Sequence, residues 1–435
     1  MTEPDSWRND LEPKILDHVD YIVRAFRDAG TNIGVVPAVN RGIGYMYAQD
    51  QILVREQHLG RVLEILQQPS EADLERDDTG RLRRVIAGVV LLTLVRTPDG
   101  EQPTVISALG QVDRQLGVGV ATPNHVMTIA QMAGGVAVPD GEVDGCPATE
   151  PEEVYDEIEP YPSVSQDNGG AGVLIYMTDT GLLADTASHS WLAGVVGDPD
   201  PGDGTQPIPP YTGHGTFVAG VTRCMAPAAD IIVTNEFAIA GSALESDVVE
   251  RLVAALGLGV DIFHLTMAAP SRNDLPLITF EAWLKLLRQY KGVLCVVVAG
   301  NSGSRRPSWP AAFSEVLSVG ALGGDWRGRA TFSNYGGWVD VYAPGRSLVN
   351  AYATGGYTCY VGPYAGQTRT FYGMAKWSGT SFSTPIVTGL IAARMSRTGE
   401  NGQEAAAALL AEARSHAIPG VGAILLPYRG HEGQP

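Results

Sequence analysis

Apolar residues recur at helical spacing at Ile15, Val19, Ile22, Val23 and Phe26, which predicts an amphipathic helix over 11–29, closed by Gly30. A short apolar run from Gln51 to Arg55 predicts a strand, and Leu59, Val62, Leu63 and Leu66 mark the helix after it. Val85 to Leu94 is rich in Val and Leu without a break and reads as one buried strand. A helix near 103–116 and a strand near 118–129 complete a β-α-β-α-β order. That order predicts a small α/β (ferredoxin-like) domain over 1–131. Residues 132–170 are acidic, hold several prolines and show no apolar period, the pattern of a linker.

From 171 to 435 the pattern changes. The runs Val173–Met177, Ile231–Val233, Val260–Leu265, Leu294–Val298 and Val316–Val319 are apolar on both parities. They alternate with helical stretches near 214–224, 244–257, 277–290 and 381–396, and an Ala-rich surface helix follows at 401–417. Strands apolar on both faces belong to a parallel sheet covered on both sides by helices. The expected fold is therefore α/β, with a doubly wound, mostly parallel sheet. A chain of 435 residues exceeds one core, which agrees with two domains.

Charge narrows the function. With 30 Lys and Arg against 48 Asp and Glu, the net charge is −18, which argues against a nucleic-acid binder or a partner of anionic membranes. No stretch reaches the ~18 apolar residues of a membrane span. The charged N-terminus lacks the apolar core of a secretory signal, so a cytoplasmic location is expected. Cys146, Cys224, Cys295 and Cys359 fit no zinc spacing. Cys295 and Cys224 read as buried thiols, and a disulfide between some pair stays open.

Four short segments carry candidate chemistry. In Ser378-Gly-Thr-Ser-Phe-Ser-Thr-Pro385, Ser381 stands at the start of an apolar helix, where unpaired N–H groups favour a developing anion. In Gly213-His-Gly-Thr-Phe-Val-Ala-Gly220, His214 opens a helix between glycines. Asp179 ends the strand of Val173-Leu-Ile-Tyr-Met-Thr-Asp-Thr-Gly181, at the sheet edge where catalytic groups collect. Asn301 follows the strand of Val296-Val-Val-Ala-Gly-Asn-Ser-Gly303, with an amide able to donate to an oxyanion. Taken singly, a capping Ser, a structural His or a turn-forming Asp or Asn would account for each.

Together, in the order Asp, His, Asn, Ser, these segments resemble the subtilases. Met225-Ala-Pro227, Phe332-Ser-Asn-Tyr-Gly336, Val339-Asp-Val and Ala343-Pro-Gly345 extend the resemblance over about 171–396. It implies a serine endopeptidase in which Ser381 is the nucleophile, His214 the general base and acid, and Asp179 the group that orients His214. Asn301 would complete the oxyanion hole. The edge Leu265, Thr266, Met267 and Ala268, with Gly303, would bind a polypeptide substrate as an added strand. Ala268 and Ala269 replace the family's usual glycines and would narrow a pocket wall. No cofactor is expected. Calcium is common in the family, but no motif supports it here. The N-terminal domain resembles subtilase propeptides, which implies an inhibitor of its own chain cleaved in the 130–170 segment; a permanent accessory domain is the competing reading. His189 is expected to be structural. The aromatic segment 346–377 is either a substrate-contacting hairpin or packed surface. Two other functions are weighed: a peptide ligase or cyclase on the same triad, and a non-catalytic binding module on this fold.

Overall fold

The computed structural model describes residues 6–39, 42–70, 72, 80–96, 100, 103–129, 150–155, 159–359 and 364–427. In the N-terminal part, α1 (Pro13–Asp28), α2 (Leu59–Ile65) and α3 (Val105–Leu116) accompany strands β1 (Ile33–Pro37), β2 (Ile43–Arg55), β3 (Leu82–Ile86), β4 (Val89–Thr93) and β5 (Ala121–Thr128). The sheet is antiparallel, with path β3-β4-β2-β5 and β1 on the other half of the long β2.

The Val85–Leu94 segment is two strands rather than one. Gly88 at φ +91° closes the hairpin between Ile86 and Val89. Its alternation is hidden because both faces of the sheet are covered. Ile52, Val54, Val90 and Leu92 pack under α2 and α3. Leu53, Val85, Ile86, Val89 and Leu91 face the other way. There they meet Val248, Leu252, Phe280 and Trp283 of α5 (Glu245–Ala255) and α6 (Ile278–Leu287), helices of the second part. The two parts thus share one apolar core. Arg83 pairs with Glu250 and with Asp247 (3.0 Å), and Arg55 with Glu281 (2.6 Å), at its rim.

The second part is a seven-stranded parallel sheet in the order β13-β12-β11-β10-β6-β8-β7. The strands are β6 (Leu174–Thr178), β7 (Val196–Gly197), β8 (Asp230–Thr234), β10 (Ile262–Leu265), β11 (Leu294–Val298), β12 (Leu317–Leu322) and β13 (Val341–Pro344). α4 (His214–Met225), α7 (Thr380–Thr398) and α8 (Gly402–Ser415) cover one face, and α5 and α6 the other. This is the doubly wound sheet expected from the apolar runs. The strand order reverses between β6 and β10, which opens a crevice at their carboxyl ends.

Two segments differ from expectation. Residues 150–155 and 159–170 are not a free linker. The Glu152 and Lys376 backbones pair at 2.7 and 2.9 Å, Tyr161 pairs with Val349, and Ser165 donates to Cys224 at 2.7 Å. The rest of that segment, with Cys146, lies outside the described residues. The 346–377 segment is a hairpin of β14 (Leu348–Thr358) and β15 (Thr368–Trp377). Tyr352, Tyr357, Phe371 and Trp377 from it are core residues, whereas Tyr372 is exposed and Tyr360 lies outside the described residues. Cys224, Cys295 and Cys359 are buried free thiols. Among the described residues no helix is long and apolar enough to cross a membrane.

α1 also touches the second part. His18 is buried and its ring bonds the hydroxyl of Tyr211. Burial pulls the His18 imidazole from 6.5 down to about 3. His264, buried inside β10, is held down to about 3 for the same reason. Between those values the unfolded chain takes up protons that the folded chain refuses, so stability is full above about pH 6.5 and is lost as pH falls. The thermal midpoint should drop steadily from pH 7 to pH 4.5, and His18→Phe should flatten part of that slope. Melting curves with the same slope in both proteins would contradict this account.

Candidate active site

Asp179 continues β6 into the crevice. Its backbone N–H donates to Thr234 at 3.0 Å, and its carbonyl accepts from Phe237 at 3.1 Å. The side chain is fully buried. Its Oδ1 accepts from the Thr180 N–H at 2.8 Å and from His214 Nδ1 at 2.7 Å. A carboxylate can only accept, so the proton sits on Nδ1 and the lone pair of Nε2 points away from Asp179.

His214 is the first residue of α4. Gly213 before it sits at φ +79°, and a side chain there would press on Tyr352 and Leu183 at 3.1–3.2 Å. Glycine is what lets the chain turn into the helix with the ring facing the crevice. Gly220 fits against Asn350, where an added Cβ would come within 1.9 Å of the amide oxygen. The imidazole packs against Trp377 (centroids 5.4 Å apart, edge-on) and Phe382 (5.3 Å), which also touch each other. The hairpin tryptophan thus walls the imidazole instead of reaching for a ligand.

Ser381 lies in the first turn of α7, and the residue after it, Phe382, packs against the His214 ring. Its hydroxyl donates to the backbone carbonyl of Ile129 at 3.2 Å rather than to the imidazole. Asn301 follows β11. Its Oδ1 accepts from both the N–H and the hydroxyl of Thr380, each at 2.9 Å. That fixes the amide with its NH₂ end turned away from Thr380, one residue from Ser381.

The Leu265–Ala268 edge divides by atom. Thr266 bonds the Thr178 carbonyl, Met267 sulfur accepts from the Thr178 hydroxyl at 3.6 Å, and Leu265 is buried core. The Ala268 backbone exchanges two bonds with Thr128 at 3.2 and 3.0 Å. On the opposite side, β5 pairs with β9 (Ser242–Leu244) over Val126–Thr128. The Ile129 N–H donates to Gly241 at 3.0 Å. The tail of the N-terminal part therefore lies as an extended strand between two edges of the second part and ends on Ser381. The Gly303 N–H is taken by Phe332 at 2.7 Å, so its backbone donor is not offered to a ligand. His189 rests on Trp191, with ring centroids 5.0 Å apart. Among the described residues there is no group of three or more His, Cys, Asp or Glu that could hold a metal ion.

Residues 170–422, more than half of the chain, match the subtilase family model. The chain belongs to the subtilase family. Over 234 residues it is 31% identical to Subtilisin Savinase of Lederbergia lenta, covering 51% of this chain and 76% of that one. It is also 31% identical to the M-protease of Shouchella clausii (strain KSM-K16), covering 51% of this chain and 54% of that one. The chain thus spans about half the length of several curated relatives it matches. Fervidolysin from Fervidobacterium pennivorans shares the fold at a TM-score of 0.55 and 18% identity, over 88% of this chain and 60% of that one. Subtilase membership comes from the second part; Thr380 lies inside the Ser378–Pro385 segment, but its two bonds to Asn301 gave no signal there, and Ile129 belongs to no motif. Thr380 is hidden as an ordinary residue beside Ser381, and Ile129 is brought to the site only by tertiary pairing.

Proposed function

We propose that this subtilase is a serine endopeptidase that holds its substrate as an added strand and forms an acyl-enzyme on Ser381. The observation that carries the reading is the Asp179–His214 hydrogen bond beside a peptide strand seated on Ser381. Ser381 Oγ attacks the peptide carbonyl carbon while His214 Nε2 takes its proton. The carbonyl oxygen becomes an oxyanion near the Asn301 amide. His214 then gives the proton to the leaving amine and the C–N bond breaks. Water, deprotonated by the same Nε2, releases the acyl group and restores Ser381. Asp179 keeps the proton on Nδ1 and stabilises the imidazolium.

The N-terminal domain acts as the inhibitor of its own chain, with β5 and Ile129 filling the place of substrate. A nucleophile bonded to the Ile129 carbonyl points to cleavage at or next to the Ile129–Ala130 link. Incubating the full-length protein beside Ser381→Ala, with cut sites mapped by mass spectrometry, tests both statements. A new N-terminus at residue 130 or 131, present only with Ser381, is expected. An uncut wild-type chain that also fails to react with a fluorophosphonate after the N-terminal domain is stripped away would sink the endopeptidase reading.

A further inference from the structure

We propose that Asp200 is a positioning residue that clamps the loop carrying Asp179 to the helix start carrying His214. The proposal rests on the endopeptidase reading above for its effect on rate. Asp200 lies in the irregular loop between β7 and α4 and is only 4% exposed. Its Oδ2 accepts from the Gly213 N–H at 2.8 Å and from the Thr180 hydroxyl at 3.0 Å. Gly213 immediately precedes His214, and Thr180 immediately follows Asp179. The Thr180 oxygen in turn accepts from the Gly215 N–H at 3.1 Å. Oδ1 accepts from Gly202 at 2.9 Å, which anchors the carboxylate to its own loop.

These bonds close a ring: Asp179, Thr180, Asp200, Gly213, His214, and back to Asp179. Two backbone N–H groups flanking His214 are thereby satisfied by groups tied to the Asp179 loop. The two loops also meet where the Leu183 N–H donates to the Thr216 hydroxyl at 2.9 Å and where the Leu182 backbone pairs with Asp198 and Asp200 at 2.8 Å, but the Asp200 carboxylate bonds the residues directly next to both Asp179 and His214. The cost of the arrangement is visible. Burial lifts the Asp200 carboxyl above its ordinary range, the Gly213 and Gly202 N–H groups oppose that, and Asp179 adds repulsion. A second buried carboxylate near the first is not what folding alone would select, and both bonds to its Oδ2 come from residues that flank the pair.

Asp200→Asn keeps the shape but replaces one acceptor oxygen by a donor. Thr180→Val removes the hydroxyl that joins the two sides, and Thr180→Ser retains it. The test has two readouts. In Ser381→Ala protein, which remains intact, proton NMR follows the His214 Nδ1–H bonded to Asp179. Asp200→Asn and Thr180→Val should each shift and broaden that resonance, and Thr180→Ser should leave it in place. In protein with Ser381, the first-order rate of self-cleavage should fall about 10- to 100-fold in either variant, as a misplacement near 1 Å does. The double variant should fall no further than the worse single one, because one ring is broken once. An unchanged Nδ1–H resonance in both variants overturns the clamp, as does a double variant whose losses multiply. A wild type that neither cleaves itself nor reacts with a fluorophosphonate once the N-terminal domain is removed, with a shifted resonance in the variants, refutes the endopeptidase reading and leaves the clamp standing. If Asp200→Asn does not fold, Thr180→Val and Thr180→Ser decide alone.

Discussion

His214→Ala should lower the turnover of a peptide spanning residues 124–135 on the order of 10⁶-fold, with little change in KM, because triad members act as a unit. The geometry gives the reason. Ser381 is a neutral alcohol and attacks only when a base takes its proton at the same moment. The base must present a lone pair, and the 2.7 Å bond from Nδ1 to Asp179 makes Nε2 the atom that has one. In the proposed reading the substrate replaces β5 on the Ala268 backbone and the Gly241 carbonyl, which bond Thr128 and Ile129 here, so KM should hold. The same logic fixes the sign of the pH response. An imidazolium has no lone pair, so a protonated base cannot act and the rate falls on the acid side. Steady-state kinetics on wild type and variant measure both. Asp179 would lose its partner in a fully buried place, so circular dichroism must first establish that His214→Ala is folded. Turnover within 100-fold of wild type in a folded variant would show that another group supplies the base.

Which parts of this were readable beforehand follows from physical cause. The parallel sheet was legible because strands covered on both faces must be apolar on both parities, as Leu294–Val298 is. Asp179, His214, Asn301 and Ser381 stood out as a set because their four segments, in that order, resemble the subtilases; singly, each had an ordinary structural account. The same covering made the N-terminal sheet hard to read. Val85–Leu94 lies between α2 and α3 on one side and α5 and α6 on the other, so no alternation remained to reveal the hairpin at Gly88. The aromatic hairpin was ambiguous because aromatic residues serve a core and a ligand equally well. Asp200 and Ile129 were invisible for a different reason. Their partners lie far along the chain, Gly213 and Thr180 for one and Ser381 for the other, and no local period announces such contacts. Residues 150–170 looked like a linker by composition, yet Glu152, Tyr161 and Ser165 find backbone partners on the second part. Composition reports what a segment can bury by itself, not what it can pair with.

Asn301→Ala should lower turnover by about 10²–10³-fold, the cost of losing one oxyanion donor, or about 2.7–4 kcal/mol. The effect should appear in turnover alone, because the amide is asked to meet a charge that exists only at the tetrahedral stage. The orientation of Asn301 makes a sharper version possible. Its carbonyl end is tied to the Thr380 N–H and hydroxyl, so the NH₂ end has one direction left. Thr380→Val keeps the N–H bond and removes the hydroxyl, which also serves the Gly300 N–H at 3.1 Å. The amide is then held by one bond instead of two, and part of the loss seen in Asn301→Ala should reappear in Thr380→Val. Adding Asn301→Ala to Thr380→Val should cost less than it costs in wild type, since the donor has already been loosened. Fully multiplicative losses would mean that Thr380 acts on Ser381 directly, through the helix start they share, and that the amide is aimed by the strand before it.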